Sequence, residues 1–385
     1  VISEKLRPFG RTIFSEMTQL ALAHEAINLS QGFPDFEGPE AVREAAVQAL
    51  RDGFNQYPRS QSAPALVKAV AAHHAREYGL HYDPMSEIGV YSGATEGLMA
   101  STLGLLNPGD EVILFEPVYD SYPACLAMSG AVPRYATLRF PNFEIDFEAL
   151  SGLFNERTRL LLLNTPHNPT GKVFSQQELQ KIAELCIKHD VYVIADEVYE
   201  HLTFDGVPHV PMASVPGMKE RTLCISSMGK SYSFTGWKTG WAAGPAPMIK
   251  AAQSAHQFIT FGTAHPLQIG AAYALTRLGP EFYEQQRREY TERRDLLLSV
   301  LKEVGLRPNH PAGSYFIVAE FDDVFDGDDV AFAKYLTTEI GVAAIPPSNF
   351  YPQTPDEGRR LVRLAFCKSM KTLEAAAQRL RRLSS

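Results

Sequence analysis

Residues 87–195 alternate between strand-like and helix-like patterns, and no other feature limits the fold of this chain so strongly. Apolar or β-branched segments suit strands at 87–92, 111–116, 159–164 and 191–195, and helical periodicity fills the intervals at 95–106, 121–129 and 175–189. Ser175 and Glu178 form a capping-box pattern at the start of the last helix. Repeated strand-helix units of this length predict an α/β fold with a mainly parallel sheet between layers of helices. A ligand in such a fold sits at the carboxyl ends of the strands.

The flanks differ. Residues 1–40 carry an amphipathic segment at 12–24 and then the turn-rich INLSQGFPDFEGPE, which reads as an arm and a loop. Helical patterns follow at 41–53 and 64–79, the second opened by Pro64 and closed by Gly79. Beyond Gly279 the periodicity changes: a long charged helix at 281–304 precedes short segments at 314–321, 329–340, 361–366 and 370–383, which suit a small sheet covered by helices. The expected division is an amino-terminal arm contributing to a small domain (1–40), a large domain (41–280) and a small α+β carboxyl-terminal domain (281–385).

Chemistry concentrates in SSMGKSYSFTGWKTGWAAGP, residues 226–245, which follows the apolar run 222–225. Lys230 stands where the chain leaves a strand, among small residues that let a ligand approach, and Lys238 follows across a Thr-Gly-Trp turn. One lysine can form a Schiff base while the other holds a phosphate. Gly93, Ala94 and Thr95 mark a strand-to-helix junction, whose free N–H groups and positive dipole end also suit a phosphate; with Ser227 and Lys238 they supply donors, a hydroxyl and a cation. Asp196 ends the apolar strand VYVIA and needs a partner when desolvated. Arg363, within the apolar LVRLAF, calls for an anion, and a guanidinium pairs bidentately with a carboxylate. Taken singly, each is also an ordinary surface, cap or edge residue.

The totals close off other classes. With 45% hydrophobic and 21% charged residues the 385-residue chain reads as a globular protein, and a net charge of −8 with dispersed carboxylates gives no footprint for nucleic acid or an anionic membrane. Cys125, Cys186, Cys224 and Cys367 show no metal-type spacing and are expected as buried free thiols, with no zinc or other metal site. The amino-terminal residues carry charge at Glu4, Lys5, Arg7 and Arg11 and no apolar signal core, and no apolar run reaches spanning length, so the expected location is the cytoplasm. A glycine-rich GxGxxG turn, which a nicotinamide dehydrogenase needs, does not occur.

SSMGKSYSFTGWKTGW, NTPHNPTG from Asn164 and ADEVYEHL from Ala195 together resemble the fold-type I aminotransferases that use pyridoxal 5′-phosphate. The GK…TGWK spacing is similar to that of the kynurenine, glutamine, methionine and N-succinyldiaminopimelate aminotransferases. The likeness runs from QGFPDF to LVRLAFCK, nearly the whole chain. It implies a homodimer with shared active sites in which Lys230 carries the cofactor, while Gly93, Ala94, Thr95, Ser227 and Lys238 hold its phosphate. Asp196 then pairs with the ring nitrogen, Asn168 and Tyr199 with the ring oxygen, and Tyr119 stacks on the ring. The resemblance also makes Arg363, helped by the backbone of Gly32, the clamp for the substrate carboxylate. Tyr57 would reach the phosphate in the other subunit, and Phe261 would line the neighbour's substrate pocket. Two departures stand out: lysine replaces the family's more frequent arginine at 238, and a glycine usual after the tyrosine is missing from QSAPAL.

The implied reaction moves an amino group from an α-amino acid to a 2-oxo acid by ping-pong kinetics. Phe33, Tyr119, Tyr122, Phe261, Phe350 and Tyr351 suggest aromatic, sulfur-bearing or glutamine-like donors. N-succinyldiaminopimelate, with Arg59 as partner for its distal carboxylate, and cysteine-conjugate β-elimination are the alternatives.

Overall fold

The computed structural model describes residues 2–10, 12–58 and 62–384. The arm helix Ile13–Ala23 is capped by the Thr12 side chain, and the short strand β1 (Ile27–Asn28) follows it. Seven further strands, β2 (Ile88–Tyr91), β3 (Glu111–Glu116), β4 (Val132–Thr137), β5 (Thr158–Asn164), β6 (Tyr192–Asp196), β7 (Thr222–Ser227) and β8 (Gly240–Ala243), form one sheet in the order β2-β8-β7-β6-β5-β3-β4. All pairs from β7 to β4 are parallel, whereas β8 runs antiparallel to both its neighbours. Leu160–Leu163 in β5 and Val193–Ala195 in β6 are buried throughout, as both faces of a parallel sheet require. The Ser175–Glu178 capping box is present at the helix Gln176–Lys188, and Gly79 closes Pro64–Tyr78 in the left-handed conformation.

Two strands in this sheet lack a strand-like sequence. β4 is half-exposed and includes Pro133 at the sheet edge, and β8 is a four-residue run of small residues and one tryptophan inside the lysine stretch. The helix expected from Thr95 begins at Gly93, so Gly93, Ala94 and Thr95 are its first turn.

Register gathers one rim. Asn164 pairs with Asp196 and Asp196 with Ile225, so β5, β6 and β7 end level. Ser227 pairs with Gly240, and Gly240 with Tyr91. Because β8 is reversed, its first residue meets the last residues of β7 and β2, and Lys238 arrives at the rim together with the Gly93 turn. A Cβ at Gly240 would stand 2.6 Å from the Ala94 nitrogen, so only glycine allows this approach.

A second core surrounds β9 (Arg307–Pro308), β10 (Phe316–Glu320), β11 (Val342–Ala343) and β12 (Leu361–Ala365), with an antiparallel sheet β12-β10-β9 and a parallel pair β1-β11. Leu29 of the arm packs in this core. The helix Pro280–Glu303 reaches both bodies: Tyr283 belongs to the first core, and Tyr290, Leu297 and Leu301 to the second. The pattern at 329–340 divides into an α-helix, Asp329–Tyr335, and a π turn, Leu336–Ile340. All four cysteines are buried and free. Among the described residues no helix is long and apolar enough to cross a membrane.

Candidate active site

At the rim, between the two cores, a cavity of about 440 Å³ is lined by residues from the arm, from the rim of the large sheet and from β10 and β12. Gly32, Gly93, Ala94, Thr95, Tyr119, Asn168, Asp196, Tyr199, Ser227, Lys230, Lys238 and Arg363 all face it.

Lys230 sits in the single helical turn Met228–Ser231, launched by β7 and capped by the Ser227 hydroxyl, which accepts from the Gly229 N–H at 3.4 Å. Its Nζ donates to the Gly32 carbonyl at 3.2 Å and stands 5.7 and 6.0 Å from the ring centres of Tyr315 and Tyr199. Burial lowers its pKa, because an ammonium loses its hydration there, although Cys367 and Asp196 oppose this. A lysine so placed gives up its proton more readily than an exposed one.

Lys238 adopts φ 48° and ψ 47°, a left-handed conformation that costs a side-chain-bearing residue about 1–2 kcal/mol. The conformation has a visible result: a Cβ at Gly93 would be 3.2 Å from Lys238 Cε and Nζ. Glycine thus lets a cation stand against the amino terminus of the helix Gly93–Leu105, where free N–H groups already concentrate positive charge. Ser227 faces the same cup.

Asp196 is buried, and its hydrogen-bond partners are neutral. One carboxylate oxygen accepts from the Tyr122 hydroxyl at 2.7 Å and the other from the Val198 N–H at 3.3 Å. Burial outweighs these bonds and pushes its pKa up to about 6. Asn164 fixes the surrounding backbone, donating to the Asp196 carbonyl at 2.9 Å while its side-chain oxygen accepts from the Asn168 N–H at 2.7 Å. Asn164 and the Tyr122 hydroxyl have site roles that sequence reasoning missed; Asn164 opens NTPHNPTG, but only the second asparagine of that motif was singled out.

Arg363 is 1% exposed and enters from β12. Its partners are the Asn168 side-chain oxygen at 3.2 Å and the Ser30 carbonyl at 2.5 Å, and its buried Nε has none. Phe316, Phe14 and Phe350 surround the guanidinium carbon at 4.2, 5.1 and 5.3 Å from their ring centres. Burial pushes its pKa down to about 10. A buried guanidinium with an unpartnered donor is a receptor for an incoming anion.

Not every expected residue is brought together. Tyr57 and Phe261 pack edge to face at 5.1 Å but are not among the residues that line this cavity, being 78% and 40% exposed. Phe33, Tyr119 and Tyr122 line the cavity, whereas Phe350, not among the lining residues, packs against Phe14 and the Arg363 guanidinium, and Tyr351 is turned away, its hydroxyl donating to the Leu138 carbonyl at 3.0 Å. Arg59 lies outside the described residues. Phe14, Asp120 and Phe316 also line the cavity. They come from the arm, a strand-to-helix turn and the second core, and no shared motif announces them.

The family description "Aminotransferase class I and II" matches residues 24–380. The chain is 42% identical to the methionine aminotransferase of Escherichia coli, over 98% of this chain and 97% of the relative, and 39% identical to a kynurenine–oxoglutarate transaminase of Dictyostelium discoideum, over 99% and 96%. Among solved structures, the N-succinyldiaminopimelate aminotransferase of Mycobacterium tuberculosis superposes with a TM-score of 0.96 at 41% identity, covering both chains completely. The Escherichia coli structure described as having a methionine aminotransferase function superposes with a TM-score of 0.94, covering 99% of each chain.

Proposed function

This chain belongs to the class I and II aminotransferases, and from that premise we propose that it works with pyridoxal 5′-phosphate, as a homodimer, on α-amino acids with aromatic, sulfur-bearing or amide side chains. The residues fit the cofactor. The glycine-lined cup beside Lys238 and Ser227 suits a dianionic phosphate, and a buried carboxylate with only neutral donors suits a cationic ring nitrogen. When bound, the cofactor supplies an electron sink for the carbon that loses its proton.

The side chains do the rest. Lys230 Nζ holds the cofactor between turnovers and, once free, carries the α-proton. Asp196 keeps the ring nitrogen protonated, held in place by Tyr122 and Asn164. Asn168 and Tyr199 would donate to the ring oxygen, and Tyr119 would stack on the ring. Arg363 takes the substrate carboxylate, with the Gly32 backbone beside it. One clamp must serve amino acid and 2-oxo acid in turn, which makes the kinetics ping-pong. The exposed pair Tyr57 and Phe261 supports a role in the partner's site, Tyr57 toward its phosphate and Phe261 along its substrate pocket.

Arg363 is the observation that carries this reading: its unpartnered, buried Nε lies on the same cavity as Lys230. For the donor, Phe14, Phe33, Tyr119 and Phe316 supply apolar surface, and the half-buried Asp120 carboxylate adds negative charge that disfavours acidic side chains. The M. tuberculosis likeness supports N-succinyldiaminopimelate as the second reading. Competition among phenylalanine, methionine, glutamine, aspartate and N-succinyldiaminopimelate tests both. Neutral donors should lead, within about 1–3 kcal/mol of one another per methylene of difference, and a dominant dicarboxylic donor refutes the assignment. The separate cores support division into 1–40 with 281–385 around 41–280, and four buried free thiols suit the cytoplasm.

A further inference from the structure

Outside the active cavity, a second cluster of ionisable groups is buried without a part in the reaction. His73, from the helix Pro64–Tyr78, meets Glu200 and His201, from the turn after β6, with one ligand-type atom of each within 4.8 Å of the others. None of the three lines the active cavity. His73 Nε2 stands 3.6 Å from a Glu200 oxygen, and both His73 Nε2 and His201 Nε2 are buried without a hydrogen-bond partner. Their side chains are enclosed: His73 is 1% exposed and His201 6%.

The surroundings are built to orient them. Glu200 accepts from the Tyr78 hydroxyl at 2.5 Å and from the Ser226 hydroxyl at 2.6 Å, one on each carboxylate oxygen. The His201 ring stacks on Tyr283 with centres 3.8 Å apart. Glu200 and His201 also line a cleft of about 750 Å³, which gives access and room for further ligands such as water.

We propose that His73, Glu200 and His201 form a binding site for one divalent transition-metal ion of the zinc type, open on the side of this cleft. Two imidazoles and a carboxylate match the preference of Zn²⁺ or Co²⁺ and leave a coordination position free, whereas Mg²⁺ and Ca²⁺ favour all-oxygen sites. Tetrahedral ligands about 2.0–2.1 Å from zinc stand roughly 3.3–3.4 Å apart. The His73–Glu200 pair is already near that spacing, and the widest pair, within 4.8 Å, must close by up to about 1.5 Å.

Arg76 opposes the ion. Its guanidinium donates to His73 Nδ1 at 3.2 Å, which places the imidazole proton on Nε2, facing Glu200. Metal binding at Nε2 moves that proton to Nδ1 and releases Arg76. The release is feasible because Arg76 is 45% exposed at its side chain and already paired with Glu77 at 2.7 Å.

The test uses the cofactor-loaded enzyme, freed of adventitious metal by a chelator and titrated with Co²⁺ and Zn²⁺ alone. One Co²⁺ per chain is expected, with visible d–d bands that Zn²⁺ abolishes and excess Mg²⁺ does not. His201→Gln should weaken binding by about 100-fold or more, while the chelated variant transaminates as the parent does. Arg76→Ala should bind about tenfold more tightly; because it alters only a half-exposed side chain, it decides the matter if His201→Gln misfolds. No stoichiometric uptake by the parent, undiminished binding by a folded His201→Gln, or weaker binding by Arg76→Ala overturns the proposal. Each is read from metal binding, independently of which amino donor the enzyme prefers.

Discussion

Asp196→Asn should stabilise the cofactor-free protein at neutral pH even as it impairs the enzyme. The fold raises this carboxyl from its ordinary 3.8 to about 6 by burial, so the native state binds its proton more tightly than the unfolded chain does. The corresponding stability is therefore present below pH 4 and is lost as pH rises through about 6. At 1.36 kcal/mol per pH unit, ionising Asp196 costs the cofactor-free native state about 3 kcal/mol above that window. Asparagine keeps the Tyr122 bond, since its carbonyl can accept, but loses the long bond from the Val198 N–H, worth about 0.5–1 kcal/mol. A net gain of about 2 kcal/mol at pH 8 remains. Denaturant unfolding of both cofactor-free proteins from pH 4 to 8 should show the variant's advantage growing between pH 4 and 6 and level beyond. A pH-independent difference, or a parent more stable at pH 8, refutes the account. With the cofactor present the order should reverse, because the carboxylate then has its cationic partner.

Borohydride reduction of the yellow holoenzyme, followed by peptide mapping, should place the cofactor on Lys230, and a label on another lysine removes its assigned role. Arg363→Ala should leave cofactor absorption intact and lower kcat/KM for free amino acids by about 2–5 kcal/mol; an unchanged value makes Arg363 structural. Tyr57→Phe should weaken cofactor affinity by about 1 kcal/mol, read by equilibrium titration, and no change places its hydroxyl away from the phosphate.

Much of the site was legible because local chemistry announces it. A lysine directly after an apolar strand, a Gly-Ala-Thr junction and an aspartate ending VYVIA each mark a strand terminus, and a parallel sheet brings its strand termini together. What stayed hidden depends on contacts between distant segments. Nothing in Gly240–Ala243 signals a strand, since its pairing comes from close packing against the Gly93 turn rather than from β-branched residues. Phe350 and Tyr351 suggested a pocket wall by composition alone, yet the chain turns Tyr351 toward Leu138. His73 and His201 are 128 positions apart, and only the packing of the helix Pro64–Tyr78 against the turn after β6 makes them neighbours.

Arg363 reaches Asn168 and the Ser30 carbonyl, so this guanidinium joins an early, a middle and a late part of the chain. During synthesis the ribosome completes the Gly93 turn, Asp196, Lys230 and Lys238 before Arg363 exists. At about 5–20 residues per second, the 125 residues from Lys238 to Arg363 take roughly 6–25 seconds. For that interval the nascent chain carries Lys230 and Lys238 without the buried guanidinium, and a chain terminated between Lys238 and β12 keeps both lysines but lacks Arg363.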